Sequence, residues 1–373
     1  MALRWFALAV GLFVLLSTTF SVVGTLVVPR GIDSPISKAC ERLVDATFLL
    51  ITRPVRTYVR RDRILAWQGP VGLLLRLAVW IGLIVVGFAL VLLPVVPGSV
   101  AHSFSEAGSS MFTLGYSAPT NASSTLIDYV AAYTGLVVVG LQIGYLPTLY
   151  SAFNRRETEV TLLISRAGVP AWGPEILGRT RYGIADGDVA PVLDKLFESW
   201  ERWFAELGES HTTYLVLVRL RSPRPLSHWL TSAIAIMDAA AMHLALAPSA
   251  EPKLSARLAL RMGFVALGQI ARTMGISVNE DPDPDGPISV SYEQFADAVE
   301  QVRVVGYPIE RSVEQAWQHY RGWRVNYDSL ALALARAVDA PPALWTGDRR
   351  WPSTPIAPLR PANRPPKDAR PGS

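Results

Sequence analysis

The sequence contains almost no cysteine, and the easily recognised catalytic patterns are missing. Cys40 is the single cysteine among 373 residues, which excludes an intramolecular disulfide framework and a cysteine-based zinc site. The five histidines form no HExxH spacing, no serine lies in a GxSxG motif, and no glycine-rich phosphate loop is present. The sequence therefore predicts neither an enzyme nor a site for a metal or cofactor.

Charge is missing from three long stretches of the chain. Residues 5–28, 71–96 and 129–153 are apolar, and Arg76 is the only charged residue within them. Each run exceeds the roughly 20 residues needed to span a bilayer. They predict an all-α membrane protein with three transmembrane helices. A cleaved signal peptide is the alternative for the first run, but its apolar core would be about 7–15 residues. The greater length favours a retained helix at residues 1–28.

Basic residues are absent from residues 97–126 but flank the apolar runs. They form no single stripe, so no nucleic-acid partner is predicted. Arg155 and Arg156 follow the third run, and segment 29–70 holds eight more: Arg30, Lys38, Arg42, Arg53, Arg56, Arg60, Arg61 and Arg63. Because positive charge marks cytoplasmic loops, segment 29–70 is predicted as a cytoplasmic linker. The C-terminal half is then cytoplasmic, and the protein is a multi-pass protein of the cell membrane, in contact with lipid.

The connection between the second and third runs is longer than a helical hairpin needs. About thirty residues join them, where a few would suffice. Residues 101–112 are compatible with a short helix, and "TLGYS" follows it. Irregular backbone at membrane depth is tolerated only where it is buried in protein or lines water. A re-entrant loop within a pore unit at residues 71–154 meets that condition. A plain hairpin with a Gly-Tyr turn is the alternative.

The residues of this loop resemble a known family. Thr113, Leu114, Gly115 and Tyr116, set between two apolar runs, are similar to the filter of bacterial pore-loop potassium channels, which commonly reads Thr-Val-Gly-Tyr-Gly-Asp. The resemblance covers roughly residues 71–157. It implies a selectivity filter at Thr113, Leu114, Gly115, Tyr116 and Ser117, potassium as the ion, and a homotetramer that closes the ring of carbonyls.

Two positions depart from the family pattern. Ser117 stands where the second glycine belongs, and Ala118 stands where the aspartate belongs. A left-handed conformation at Ser117 would cost roughly 1 kcal/mol or more relative to glycine. The sequence therefore leaves open whether such a pore selects potassium, passes cations generally, or has the pore fold but no longer conducts.

The third apolar run is interrupted by glycine and proline. Gly135, Gly140 and Gly144 lie within it, and Pro147 follows. Such residues supply hinges in helices, which predicts a gate here, while small residues also permit close helix packing. Both interpretations are open. Gln142, the polar amide of this run, is expected to face the pore or another helix rather than lipid.

Residues 155–340 have mostly helical periodicity and predict a helical cytoplasmic domain. Residues 212–220, "TTYLVLVRL", are the only candidate strand. His211 is a polar candidate, and His319 is expected to join a buried cluster with three neighbours, Arg321, Arg324 and Asp328. The motif "DPDPDG" resembles the start of a calcium loop, but the closing Glu is one position late, so no calcium site is predicted. Residues 341–373, rich in Pro and Arg, are predicted to be a disordered tail.

These observations combine into one functional expectation. The sequence predicts an ion channel for potassium, formed by a homotetramer and regulated by the cytoplasmic helical domain. The alternative is a non-conducting membrane-anchored protein whose cytoplasmic helices bind a partner or ligand.

Overall fold

The computed structural model describes residues 2–28, 34–180, 190–249 and 254–359, and Arg30 lies outside them. Within these ranges the chain is helical, with two isolated β-bridges and no strand, so the all-α prediction is confirmed. The α-helices are α1 Ala2–Leu26, α2 Pro35–Thr52, α3 Tyr58–Leu65, α4 Gln68–Leu92, α5 Val100–Met111, α6 Ala122–Ala167, α7 Gly173–Arg179, α8 Ala190–Thr213, α9 Trp229–Leu246, α10 Leu254–Thr273, α11 Tyr292–Val304, α12 Val313–Arg324 and α13 Asp328–Ala337.

Five helical stretches of the described chain are long and apolar enough to cross a membrane, which suggests a membrane protein. They are Ala2–Leu26, Tyr58–Leu92 (α3 and α4), Ala122–Ala167, Trp229–Leu246 and Leu254–Thr273. The first three overlap the three predicted runs, although α1 ends at Leu26 rather than at residue 28, and α4 runs from Gln68 to Leu92 rather than from 71 to 96. The fourth, α9, is entirely buried within protein, as expected for a helix that is apolar on all sides in a core.

The chain divides into two compact units, and the first holds α1, α2, α4 and α5. It consists of Met1–Thr52 and Ile64–Ala152. Helix α1 packs closely against α4, because a Cβ added at Gly11 would lie 2.7 Å from the carbonyl oxygen of Gly87. Trp80 Nε1 donates to Ser21 Oγ at 2.9 Å, which satisfies two buried polar groups in an otherwise apolar contact.

Segment 29–70 is more structured than the predicted linker. Residues Cys40, Val44 and Phe48 recur every four positions and are buried, which is the pattern of a helix packed along one face. Helix α2 therefore lies against α4, where Gln68 Nε2 donates to Asp45 Oδ1 at 2.8 Å. The described part of the predicted linker therefore contains two helices, α2 and the short α3.

The second unit consists of Arg53–Arg63 and Phe153–Ser373. Its centre is α9, all of whose residues are buried, with α7, α8, α10 and α12 packed around it. Glycine permits two of these contacts. A Cβ at Gly173 would lie 2.6 Å from Asp238 Cβ on α9, and one at Gly263 would lie 2.8 Å from Met237 Sδ. The predicted helical domain therefore has a single core built around one apolar helix.

The predicted strand at residues 212–220 is wrong. Leu215–Arg219 form a 3₁₀ helix, and no neighbouring strand is present in the described part of this unit to pair with it. Its carbonyl groups bond to Arg156 instead, which donates to Leu217 O at 2.7 Å and to Leu220 O at 2.8 Å. A buried guanidinium thus takes the place of a strand partner.

The prediction of a disordered tail is wrong for residues 341–359, and residues 360–373 lie outside the described chain. Trp345 is buried and packs edge-on against Trp172, with ring centroids 5.5 Å apart. Arg349 is also buried and donates to Ala340 O at 2.6 Å. Leu359 pairs with Val169 in an antiparallel bridge. The core of the second unit supplies the apolar contacts that this segment lacks alone.

The α1–α4 contact predicts a large effect of Gly11→Val. The added side chain would overlap the backbone of α4, and overpacking of this kind costs about 1–3 kcal/mol. We expect a clearly lower midpoint in denaturant unfolding of the purified protein. Gly82→Ala is the control, because nothing lies within 4 Å of a Cβ at Gly82. Equal midpoints for the two variants would show that α1 does not pack on α4 in this way.

Candidate functional site

The short helix α5 begins and ends with hydrogen bonds that direct the chain into the "TLGYS" loop. Ser99 Oγ accepts from the backbone N–H of His102 at 3.3 Å and caps the first turn. At the other end, the N–H of Thr113 donates to Ser110 O at 3.1 Å, and that of Leu114 donates to Ser109 O at 2.8 Å. The chain therefore folds back over the last turn of α5 before it leaves the helix.

The backbone of the loop has the left-handed conformation at two alternate residues. Thr113 has φ of 53° and Gly115 has φ of 72°, while Leu114 between them is not in the positive region. Glycine takes this conformation without steric cost, whereas threonine does so only at roughly 1–2 kcal/mol. The strained residue is thus Thr113, held by its hydrogen bond to α5.

Ser117 does not have the left-handed conformation considered from the sequence. It is not among the residues with positive φ, and its N–H donates to Ser109 Oγ at 3.1 Å. The steric cost of a Cβ in the left-handed region is therefore not incurred at Ser117.

The side chains of the loop point away from the rest of the described chain. Leu114 is 63% exposed and Tyr116 is 64% exposed, although the Tyr116 hydroxyl oxygen lies 3.9 Å from the position of a Cβ on Gly108. Large apolar side chains are rarely left exposed together in a soluble monomer. These residues therefore form a surface suited to contact with lipid or with another chain.

The return from the loop to α6 is fixed by Asn121. Its side-chain nitrogen donates to Val95 O at 3.0 Å, and its side-chain oxygen accepts from the N–H of Ser124 at 2.9 Å. Ser124 Oγ in turn accepts from the N–H of Thr120 at 3.0 Å. This arrangement caps α6 and ties the outer end of the loop to the chain that follows α4.

The glycines predicted as a gate in α6 have different surroundings. A Cβ at Gly135 would overlap the carbonyl oxygen of Met111, so this glycine permits contact between α5 and α6. Nothing lies within 4 Å of a Cβ at Gly140 or Gly144. Pro147 lies inside the continuous helix, and Gln142 is buried, as expected for an amide that faces protein. Gly135 therefore serves packing, and the gate at the other three positions stays a prediction.

Two buried acidic residues lie at the contact of α5 and α6, and the sequence analysis did not single them out. Glu106 has no exposed surface and Asp128 is 7% exposed, and no oxygen of either carboxyl group has a hydrogen-bond partner among the described residues. The Ser124 hydroxyl lies beside Glu106, and the Ser110 hydroxyl lies beside Asp128. The sequence did contain a feature that distinguishes them, because they are the only acidic residues between Arg76 and Arg155.

The second unit contains a buried ionic network that includes the segment before α4. Arg221 Nη1 donates to Tyr58 Oη at 3.0 Å and to Asp62 Oδ1 at 3.1 Å. Arg61 and Asp339 form an ion pair at 2.7 Å. Removal of one partner from a buried ion pair costs several kcal/mol, so α3 is firmly held within this unit. Periodicity could not reveal this network, because its members are far apart in sequence.

The predicted polar cluster around His319 is only partly correct. His319 is exposed, and the neighbouring Tyr320 takes the buried position. Arg324 and Asp328 do pair, at 2.7 Å, but the main partner of Arg324 is Asp238 on α9. The pairing of Arg324 with Asp328 was predicted correctly, but the buried face of the helix was not, since only the structure shows where α9 lies. This fully paired cluster is a structural feature of the core.

His211 is buried as a neutral side chain. Arg156 Nη1 lies 3.1 Å from its Nε2, so this ring nitrogen accepts the hydrogen bond, and Nδ1 lies 3.0 Å from Ser210 Oγ. Burial, and then the positive charge of Arg156, hold the pKa of His211 well below its usual range. His228 is held neutral in the same way, by burial and then by Arg221.

The described residues contain no group of three or more metal-ligating side chains. In the calcium-like motif, Asp285 Oδ1 accepts from Arg321 Nη2 at 2.6 Å, and its N–H donates to Asp283 Oδ1 at 3.0 Å. The carboxyl groups are thus used in a turn and a surface ion pair. No family model, curated protein or solved structure matches this chain, so its function is argued from these contacts alone.

The buried histidines predict a loss of stability in mild acid. A histidine in the unfolded chain binds a proton near pH 6.5, whereas His211 in the folded chain does not, so unfolding takes up protons as the pH falls. We expect the free energy of unfolding to decrease below about pH 6.5, by up to about 1.4 kcal/mol per pH unit for each such histidine. Denaturant unfolding between pH 5 and 8 measures this.

His211→Gln should reduce that pH dependence, because the glutamine oxygen can still accept from Arg156 but does not titrate. His319→Gln is the matched control at an exposed position and should leave the pH dependence as it is. A pH dependence that His211→Gln does not alter would contradict the assignment of a neutral buried imidazole.

Proposed function

We propose that this protein is an ion channel that conducts potassium through a pore formed by four copies of the chain. The observation that carries the proposal is the loop from Thr113 to Ser117, with φ positive at Thr113 and Gly115 but not at Leu114. Alternation of this kind lets successive carbonyl oxygens face the same side. A row of such oxygens can replace the hydration shell of a potassium ion.

The exposed side chains of a single copy support the oligomer. One chain supplies one loop, and a closed ring of carbonyl oxygens needs about four. Leu114 and Tyr116 in the loop, and Tyr129, Tyr133 and Leu136 on α6, are all more than 60% exposed. In a ring, neighbouring copies and lipid would cover these surfaces. Three membrane helices and a re-entrant loop then follow from α1, α4, α6 and the chain around α5.

The proposed regulation by the second unit rests on its position along the chain. Segment Arg53–Arg63 belongs to that unit through the network of Arg221, Asp62 and Asp339, and α4 begins at Gln68. The unit also begins again at Phe153, within α6. A change in its conformation would therefore act on the start of one proposed pore helix and on the end of the other.

Gly115→Ala is the central test of the proposed filter. Alanine at φ of 72° costs roughly 1–2 kcal/mol relative to glycine in each copy, so the filter should distort and potassium flux should be lost. The measurement is potassium flux into proteoliposomes, together with the number of subunits by native mass spectrometry. Gly82→Ala, on α4 with open surroundings, is the matched control and should keep wild-type flux.

Four subunits with flux that only Gly115→Ala abolishes would support the channel. A folded wild-type protein that is monomeric and passes no ion would sink the proposal. The membrane-anchored alternative, with partner binding by the second unit, would then be the better account.

Ser117→Gly tests the departure from the family pattern. Glycine can take the left-handed conformation that Ser117 does not have, which would move the last carbonyl of the loop to the position expected in a potassium filter. We expect the ratio of potassium to sodium flux to rise in this variant. Ser117→Ala, which keeps the Cβ, is the control and should leave the ratio unchanged. A rise in both variants would assign the effect to the serine hydroxyl instead.

A further inference from the structure

No lysine or arginine of this part of the sequence can neutralise the acidic pair of Glu106 and Asp128, and His102 is the neighbouring side chain that can carry a positive charge. Between Arg76 and Arg155 there is no lysine or arginine. A second copy has the same sequence, so this part of a neighbouring chain brings no lysine or arginine either. An ionised carboxylate that is buried without a partner is very costly, and such groups become neutral instead. Protonation removes the negative charge of both carboxyl groups without a further cation.

The charged and titratable groups around the pair are few. On α5 itself, His102 Nε2 lies 3.8 Å from Glu106 Oε2, and the His102 side chain is 41% exposed. Helix α4, which packs against α5, has no titratable residue after Arg76. Arg4 on α1 donates to Gly98 O at 3.4 Å. The remaining titratable side chains of the loop and the nearby turns of α6 are Tyr116, Tyr129 and Tyr133.

We propose that Glu106 and Asp128 form a proton-binding site, in which both carboxyl groups are protonated at neutral pH. The two residues and their serine neighbours are arranged reciprocally. Glu106 and Ser110 are four residues apart on α5, and Ser124 and Asp128 are four residues apart on α6. A protonated Asp128 can donate its hydrogen bond to Ser110 on α5, which an ionised carboxylate cannot do. Ser124 Oγ, beside Glu106, already accepts from the N–H groups of Thr120 and Asn121 and donates to Asn121 O, so it cannot stabilise an ionised Glu106.

Release of a proton from the site weakens the contact of α5 with α6. The proton passes from the carboxyl of Glu106 to the partly exposed imidazole of His102 and then to water, and a carboxylate is left in the contact. Ser124 also accepts from the N–H of Thr120, and Ser109, next to Ser110, accepts from the N–H of Ser117. Both attachments of the loop therefore lie beside the site, and rising pH loosens the loop.

The consequence for ion flux rests on the proposed function, but the proton site does not. Under the proposed orientation the site faces the outside, so external alkaline pH would reduce flux. The test therefore measures the protonation of the carboxyl groups rather than ion flux, by infrared difference spectroscopy of the full-length protein in lipid. Protonated carboxyl groups have a carbonyl band that ionised carboxylates lack.

We expect a carboxylic-acid band at neutral pH that disappears as the pH rises. Glu106→Gln should lose part of this band, and Asp128→Asn should lose the remainder. Glu198→Gln, at an exposed position on α8, is the control and should leave the band unchanged. A wild-type band at neutral pH identical to that of Glu106→Gln would overturn the proposal, because Glu106 would then be ionised.

Amide hydrogen exchange keeps the proposal testable if one substitution impairs folding. In the wild type, exchange at residues 113–121 should become faster as the pH rises, beyond the intrinsic effect of pH on free amides. In Glu106→Gln this additional increase in exchange rate should be absent, because the glutamine side chain is neutral at every pH. An equal excess in both proteins would overturn the link between the site and the loop.

Discussion

The hydrogen bonds of residues 112–121 are the constraint on which the first unit depends. These residues connect α5 and α6 without forming a helix themselves, so their backbone groups need partners that the loop does not provide. Two serine hydroxyls, Ser109 at the end of α5 and Ser124 at the start of α6, accept from the N–H groups of Ser117 and Thr120. The contact of α5 with α6, permitted by Gly135, holds both serines in place.

The fold shows which features the local sequence could predict. Long apolar runs predicted α1, α4 and α6. These signals are local, because burial of a whole helix depends on its own side chains. The "TLGYS" motif was also recognised locally, but its conformation was not. The positive φ is at Thr113 rather than Ser117 because Thr113 is held by α5.

The features that the sequence did not predict depend on residues far apart in the chain. Residues 212–220 have the composition of a strand, yet Arg156 takes their carbonyl groups and a 3₁₀ helix results. Residues 341–359 cannot fold alone, but Trp345 finds Trp172 in the core. Glu106 and Asp128 are notable only as exceptions to a charge-free region, and their proximity requires the packing of α5 on α6. Secondary structure and apolar segments could thus be predicted from the sequence more readily than contacts between helices.

The bond between Arg221 and Asp62 has a consequence for how the chain is threaded through a membrane. It joins two residues 159 positions apart, and both belong to one compact unit, so both must be on the same side of the bilayer. The chain between them can therefore cross only an even number of times. Two crossings, by α4 and α6, satisfy this parity, and α9 lies after Arg221, outside the segment to which the parity applies. The contact between Arg221 and Asp62 thus requires an even number of membrane crossings in the chain between them.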